Sequence, residues 1–269
     1  MPINTDLNAA PYFDDFDIEN QYHRVLFKPG YAVQARELTQ LQTMLQSQIE
    51  QFGDNVFKEG SIVKGCNFTE LDDLQFVRLQ DIWTPFDNGA PQDPTAFDPR
   101  PYIPQRITET VLGVETEFDL IYQLTGETTN LRANVIASDQ GVEVRTPNLN
   151  TFYISYLNSN EANNFRVFQP GEVLTLTQLK FKAGTQNPEA SDVEVVLGKM
   201  SATNVVATTG KSFGIQSAPG IIFQKGHFLF ADAQTLVVSK YNNLPDEVSV
   251  GYLVKESAIA AINDDSLYD

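Results

Sequence analysis

One segment of this chain reads as a long helix, and it constrains the fold more than any other feature. Leu38, Leu41, Leu45, Ile49 and Phe52 follow one another at steps of 3, 4, 4 and 3, the spacing that puts side chains on one face of an α-helix. The pattern predicts a helix from Ala32 to Phe52, about 31 Å long at the usual rise per residue. Gly53 follows it, where a glycine commonly ends a helix. The remaining faces hold Gln34, Gln40, Gln42, Gln46, Gln48 and Gln51 but only three charges, Arg36, Glu37 and Glu50. Two readings fit such a surface. It is either a neutral solvated face, or a face enclosed by other chains, where amides form hydrogen bonds without burying charge. The leucines follow a 3.6-residue period better than a long heptad, which speaks against a free-standing coiled coil.

After the helix the pattern changes to short alternating runs. Val77 to Trp83, Leu131 to Ile136, Thr151 to Leu157, Glu172 to Phe181, Asp192 to Leu197, Gly220 to Phe230, Thr235 to Tyr241 and Val248 to Val254 read as strands, separated by Gly, Pro, Asn and Asp. The fold class expected is α+β, mostly β: an extended N-terminal arm and one long helix, followed by antiparallel β-sandwich or barrel-like domains. The arm covers residues 1–30. Its Tyr12-Phe13-Asp14-Asp15-Phe16-Asp17 run mixes aromatics and carboxylates without a period, so it needs a surface to lie on; Tyr22 to Phe27 reads as a short strand. Thr84 to Arg106 holds six of the 14 prolines and reads as a long loop or linker and as a domain boundary. The organisation expected is therefore 1–53 for arm and helix, 54–106 for a hairpin region with the Pro-rich linker, and 107–269 for β-rich domains.

A local pattern recurs four times: aliphatic, Phe, two residues, Gly, two residues, aliphatic. It occurs at Leu26–Val33, Val56–Val63, Val167–Leu174 and Ile222–Leu229. Pro-Gly in the first and third copies suits a type II turn. The irregular spacing excludes a solenoid repeat. Shared turn chemistry explains the pattern; the alternative is that the second and fourth copies come from related hairpins of one sheet.

The search for chemistry finds little. Thirty-five acidic against 18 basic residues give a net charge of −17, which argues against binding nucleic acid through a basic field. One cysteine, Cys66, excludes an internal disulfide and a cysteine zinc cage. His23 and His227 have no sequence partners and read as structural. Asp14, Asp15, Asp17 and Glu19 lack the spacing of a calcium loop and read as a solvated acidic arm, as Asp264 and Asp265 read as surface charge. Gly210-Lys211-Ser212 fails as a phosphate loop because Val205 stands where its first glycine belongs, and no Gly-x-Ser-x-Gly elbow is present. No apolar run reaches the roughly 20 residues of a membrane helix, and Met1 to Asp6 carries no secretory signal. No catalytic, cofactor-binding or metal-ligating residue is assigned.

The arm and helix carry a resemblance. Tyr12 to Asp17, then Tyr22-His23-Arg24-Val25-Leu26-Phe27-Lys28-Pro29-Gly30-Tyr31-Ala32-Val33-Gln34-Ala35-Arg36-Glu37-Leu38-Thr39-Gln40-Leu41-Gln42 and Gln48 to Ser61, resemble the N-terminal signature of a family of tailed-phage virion structural proteins, common in contractile-tailed phages of cyanobacteria. Gly220 to Phe228, Gln234 to Val238, Lys240 to Asn243 and the ending from Val250 resemble it more loosely. The resemblance implies a baseplate or tail-fibre attachment component, made in the host cytoplasm and built into the virion. It implies assembly with other virion proteins and with copies of itself, a trimer being the preferred state, and no reaction. Because family members are often longer, it also implies that the chain is an N-terminal portion or a short member. Leu38, Leu41, Leu45, Ile49, Phe52, Gln42 and Gln46 are the expected assembly interface. The alternative is a β-rich module binding a host glycan, with Trp83, Tyr102, Tyr153 and Tyr156 stacking on sugar rings; the strand around Trp83 places that side chain in a core instead.

Overall fold

The computed structural model describes residues 8–10, 13–111, 113–141, 149–159, 165–183, 193–241, 247–255 and 259. The end of the chain, with Asp264 and Asp265, lies outside the described residues. Among the described residues a helix, α1 (Ala35–Val56), is followed by sixteen strands: β1 (Ser61–Gly65), β2 (Phe68–Leu71), β3 (Gln75–Asp87), β4 (Ala90–Pro91), β5 (Thr95–Ala96), β6 (Gln105–Val111), β7 (Val114–Gly126), β8 (Arg132–Asp139), β9 (Thr151–Tyr156), β10 (Val173–Lys182), β11 (Val193–Ala202), β12 (Thr209–Lys211), β13 (Phe213–Ser217), β14 (Gly220–Gln224), β15 (His227–Ala231) and β16 (Gln234–Ser239). The class is α+β and mostly β, with one helix preceding a barrel and smaller sheets.

The chain forms two compact units, and both are discontinuous. The first comprises 1–67, 217–234 and 249–269; the second comprises 68–216 and 235–248. These boundaries differ from those read in the sequence. Thr84 to Arg106 is no linker: it lies inside the second unit and supplies the end of β3, β4, β5 and the start of β6. Its prolines leave the needed bonds intact. Gln92 N donates to Pro85 O at 2.8 Å and Phe97 N to Asp81 O at 2.7 Å.

The second unit is built on a closed barrel. Around the ring the order is β10, β11, β3, β9, β8 and β7, and β7 pairs back to β10, all antiparallel. Consecutive β7, β8 and β9 form a meander, and β3 returns beside β9 in Greek-key fashion. Inward side chains follow the period of two that a strand imposes: Val77 and Leu79, Leu120, Tyr122 and Leu124, Ala133 and Val135, Phe152 and Ile154, Leu174 and Leu176, Met200 and Ala202 are all buried. Phe97, Leu131 and Phe168 join this core from connecting segments. β3 is long enough to hold β9 along 75–78 and β5 along 82–83 on one edge, with β12 and β11 on the other. A smaller sheet of β16, β13 and β2 belongs to the same unit.

Of the aromatics offered for sugar stacking, Trp83, Tyr102 and Tyr156 pack against the barrel core and are partly buried, while Tyr153 lies in a separate cluster with Leu74 and Phe76. Trp83 packs at 5.1 Å from Phe97 and 5.5 Å from Tyr102, and Tyr156 at 5.0 Å from Phe168. Tyr153 is buried.

In the first unit, β1, β14 and β15 form a three-stranded antiparallel sheet. Cys66, Ile222 and Ala231 make its small buried core, with Leu229, Tyr252 and Val254 against it. Two expected strands are not strands. Tyr22 to Phe27 is irregular, and Val248 to Val254 carries no ladder although Tyr252 and Val254 pack.

All four glycines of the recurring pattern have positive φ: Gly30 at 84°, Gly60 at 77°, Gly171 at 74° and Gly226 at 75°. In the first three, the residue after the glycine donates its N–H back three positions, to Lys28, Lys58 and Gln169. The fourth is different. Lys225 also has positive φ, at 50°, and joins β14 to β15 in a two-residue turn with the signature of type I′. The second and fourth copies do meet in one sheet, but only the fourth is a hairpin.

Candidate assembly surface

The helix begins where Gln34 is still extended, and its N–H donates to the Glu37 carboxylate at 3.0 Å, half of a capping box. It runs through Gly53 to Val56, and Phe57 N closes it by donating to Gly53 O at 2.7 Å. Gly53 is therefore not the terminal glycine the sequence suggested. It is buried inside the helix because the Phe223 ring lies against it; a Cβ there would overlap that ring.

One side of α1 is occupied by its own unit, and that side is largely polar. Asp14 accepts from Thr43 Oγ1, and Asp15 pairs with Arg36 and accepts from Gln40. These bonds fix the arm along the helix, so Asp14 is not the solvated charge expected, while Asp15 stays exposed beside Arg36. Asp14 is itself buried. Further along, Gln46 Nε2 lies 2.9 Å from His227 Nδ1. A Cβ on Gly226 would crowd the Glu50 side chain, and the Glu59 carboxylate accepts the Lys225 N–H at 3.0 Å. Phe57, Phe223 and Phe228 form an aromatic cluster at the foot of the helix, with centroids 5.3 to 5.7 Å apart. Met44 and Gly53 are the only buried residues of α1.

The other side carries the apolar stripe and faces water. Leu38 is 50% exposed, Leu45 53%, Ile49 46% and Phe52 64%. Val56 is exposed as well. This is the reverse of an ordinary surface helix, whose apolar stripe faces the core. Of the seven interface residues expected, Leu38, Leu45, Ile49, Phe52 and Gln42 share this open face, and Leu41 sits half-buried at its margin. Gln46 does not belong with them, because His227 of the same unit engages it. Val56 also lies on this face, one turn beyond the predicted helix end at Phe52. The arm adds further apolar surface: Phe13, Tyr22, Leu26, Tyr31 and Val33 are all exposed.

Among the described residues no group of three or more His, Cys, Asp or Glu side chains is placed to hold a metal ion. No helix there is long and apolar enough to cross a membrane.

Residues 10–85 match a family described as a domain of unknown function (DUF4815). The match spans the arm, α1, β1, β2 and β3 as far as Pro85. No curated protein and no solved structure matches the chain.

Proposed function

We propose that this chain is a structural protein of a tailed-phage virion, at the baseplate or a fibre attachment point, that works by multimeric assembly and catalyses no reaction. The observation that carries this reading is the orientation of α1. Its polar side is spent on the arm and on the β14–β15 hairpin, and its apolar side is left in water. Single exposed hydrophobics are ordinary on a protein surface, but a contiguous row with a polar margin marks an interaction site. The residues that resemble phage virion proteins are largely the same ones: the arm, α1 and the turn into β1. The β-rich remainder then serves as spacer or adaptor between the attachment element and its neighbours. Threefold self-association is the expected form, beside contacts with other virion proteins.

The test is to purify particles of the phage that carries this sequence and to look for the chain by mass spectrometry and by antibody labelling in electron micrographs. Stoichiometric presence with label at the tail end is expected. Absence from washed particles would sink the reading.

A further inference from the structure

The open face of α1 has a period that the leucine stripe concealed. Leu38, Leu45 and Phe52 are seven residues apart, as are Ala35, Gln42, Ile49 and Val56, and all of these are exposed. The two series interleave at steps of 3 and 4. They are the d and a positions of a heptad repeat, running the whole length of the helix. Reading Leu41 as part of the stripe hid this, since Leu41 occupies a flanking g position.

We propose that copies of this chain join through α1, parallel and in register, as a short coiled coil. The inference deepens the assembly reading above by naming the partner as a second copy of this chain. Three observations select that occupant. Parallel in-register pairing sets each seam residue against itself, so Leu38, Leu45, Ile49, Phe52 and Val56 form apolar layers, and Gln42 meets Gln42, where one amide donates to the other. Antiparallel pairing would instead set Gln42 against an apolar d side chain. Charge points the same way. The chain carries −17, so two copies repel on balance and a seam without charge avoids adding to that. The e positions are Thr39, Gln46 and Gly53 and the g positions Leu41, Gln48 and Asn55, with no charge among them. The helix's four charges, Arg36, Glu37, Glu50 and Asp54, fall at b, c and f. Coils that choose an unlike partner do so with e and g charges; this seam has none. Lastly, Asp14 and Asp15 hold α1 through Thr43, Arg36 and Gln40, at b and f positions away from the seam, while His227 and Phe223 of its own unit reach only the flanking e positions Gln46 and Gly53, so the a and d positions stay open.

The full-length protein provides the test, with Gln42→Cys against Gln51→Cys. Both positions are exposed, and native Cys66 is buried in each. In a parallel in-register coil, residue 42 faces its own copy, within reach of a disulfide, while residue 51 points away. Mild oxidation is expected to link most of the Gln42→Cys protein into covalent pairs and little of the Gln51→Cys protein. Sedimentation of the unsubstituted protein should give two or three times 30.0 kDa. Leu45→Glu with Ile49→Glu should return it to the mass of one chain with unchanged circular dichroism, because both side chains are already exposed within one copy. A native protein that stays a monomer, equal linking at 42 and 51, or an oligomer that ignores the charged pair would each overturn the proposal. These readouts use purified protein. Self-association through α1 in a chain absent from particles would sink only the virion reading, and a particle protein that is monomeric would sink only this one.

Discussion

Glu172 shows how a single side chain can hold the barrel's turns together. It is buried, and its Oε1 accepts from Thr128 N at 3.0 Å, Thr129 N at 2.7 Å and Thr129 Oγ1 at 2.8 Å, while Oε2 accepts from Gln169 N at 2.8 Å. A buried carboxylate survives only when such donors replace its water. Removing it leaves those N–H groups without their acceptor, so Glu172→Ala is expected to cost about 3 kcal/mol in urea unfolding, with Glu172→Gln less damaging. A loss below about 0.5 kcal/mol, the size of a neutral surface change, would show that water replaces it. Tyr153 makes a second case. Burial pushes its hydroxyl's pKa well above the ordinary tyrosine value, with Tyr241 and Asp139 adding to the rise. A raised folded pKa stabilises the protein fully below the unfolded value of about 10, and that contribution is lost as pH climbs towards the folded one. Stability should therefore fall across the alkaline range. Tyr153→Phe should flatten that fall at little cost at neutral pH, because the hydroxyl is buried without a hydrogen-bond partner. An unchanged alkaline slope would assign the loss to other groups.

At the scale of elements, Gly53 separates the two accounts of how α1 ends. A terminal glycine with positive φ tolerates asparagine well. A helical glycine pressed against the fully buried Phe223 does not, and Gly53→Asn is expected to cost about 2 kcal/mol through overpacking. Thermal unfolding of the purified variant checks this; a shift within error would return Gly53 to the cap. The existence of α1 and of most barrel strands was legible in the sequence because each has a clean period. β7 was not, although Leu120, Tyr122 and Leu124 alternate. Its first half is charged, with Glu115, Glu117 and Asp119, and reads as loop because it pairs with β6 where both strands are largely exposed. The Pro-rich segment misled for the opposite reason. Its prolines fall where no ladder bond is required, while Phe97 between them enters the core and its carbonyl accepts from Asn150 Nδ2 at 2.8 Å. For the candidate surface, the apolar residues were legible and their direction was not. Periodicity gives a face, but only the placement of Asp14, Asp15 and His227 tells which face the chain keeps for itself.

Across the whole molecule, buried apolar residues are shared very unequally. The barrel core alone gathers sixteen, whereas the core around β1, β14 and β15 gathers three. Local opening follows buried contacts, so the barrel's strands should set the slowest amide exchange and α1 should open far more readily in a single copy. Self-association changes only the second of these. A helix seam covered by a second copy is stabilised by mass action, in proportion to the logarithm of concentration above the dissociation constant. Hydrogen exchange followed by mass spectrometry over a dilution series should therefore show protection of 35–56 rising with protein concentration, while β7 through β10 exchange at one slow rate throughout. The Leu45→Glu, Ile49→Glu protein should show low protection of α1 at every concentration. If α1 were instead held by its own unit alone, its protection would match at all dilutions and in both proteins, and the exposed stripe would be no more than a surface the fold tolerates.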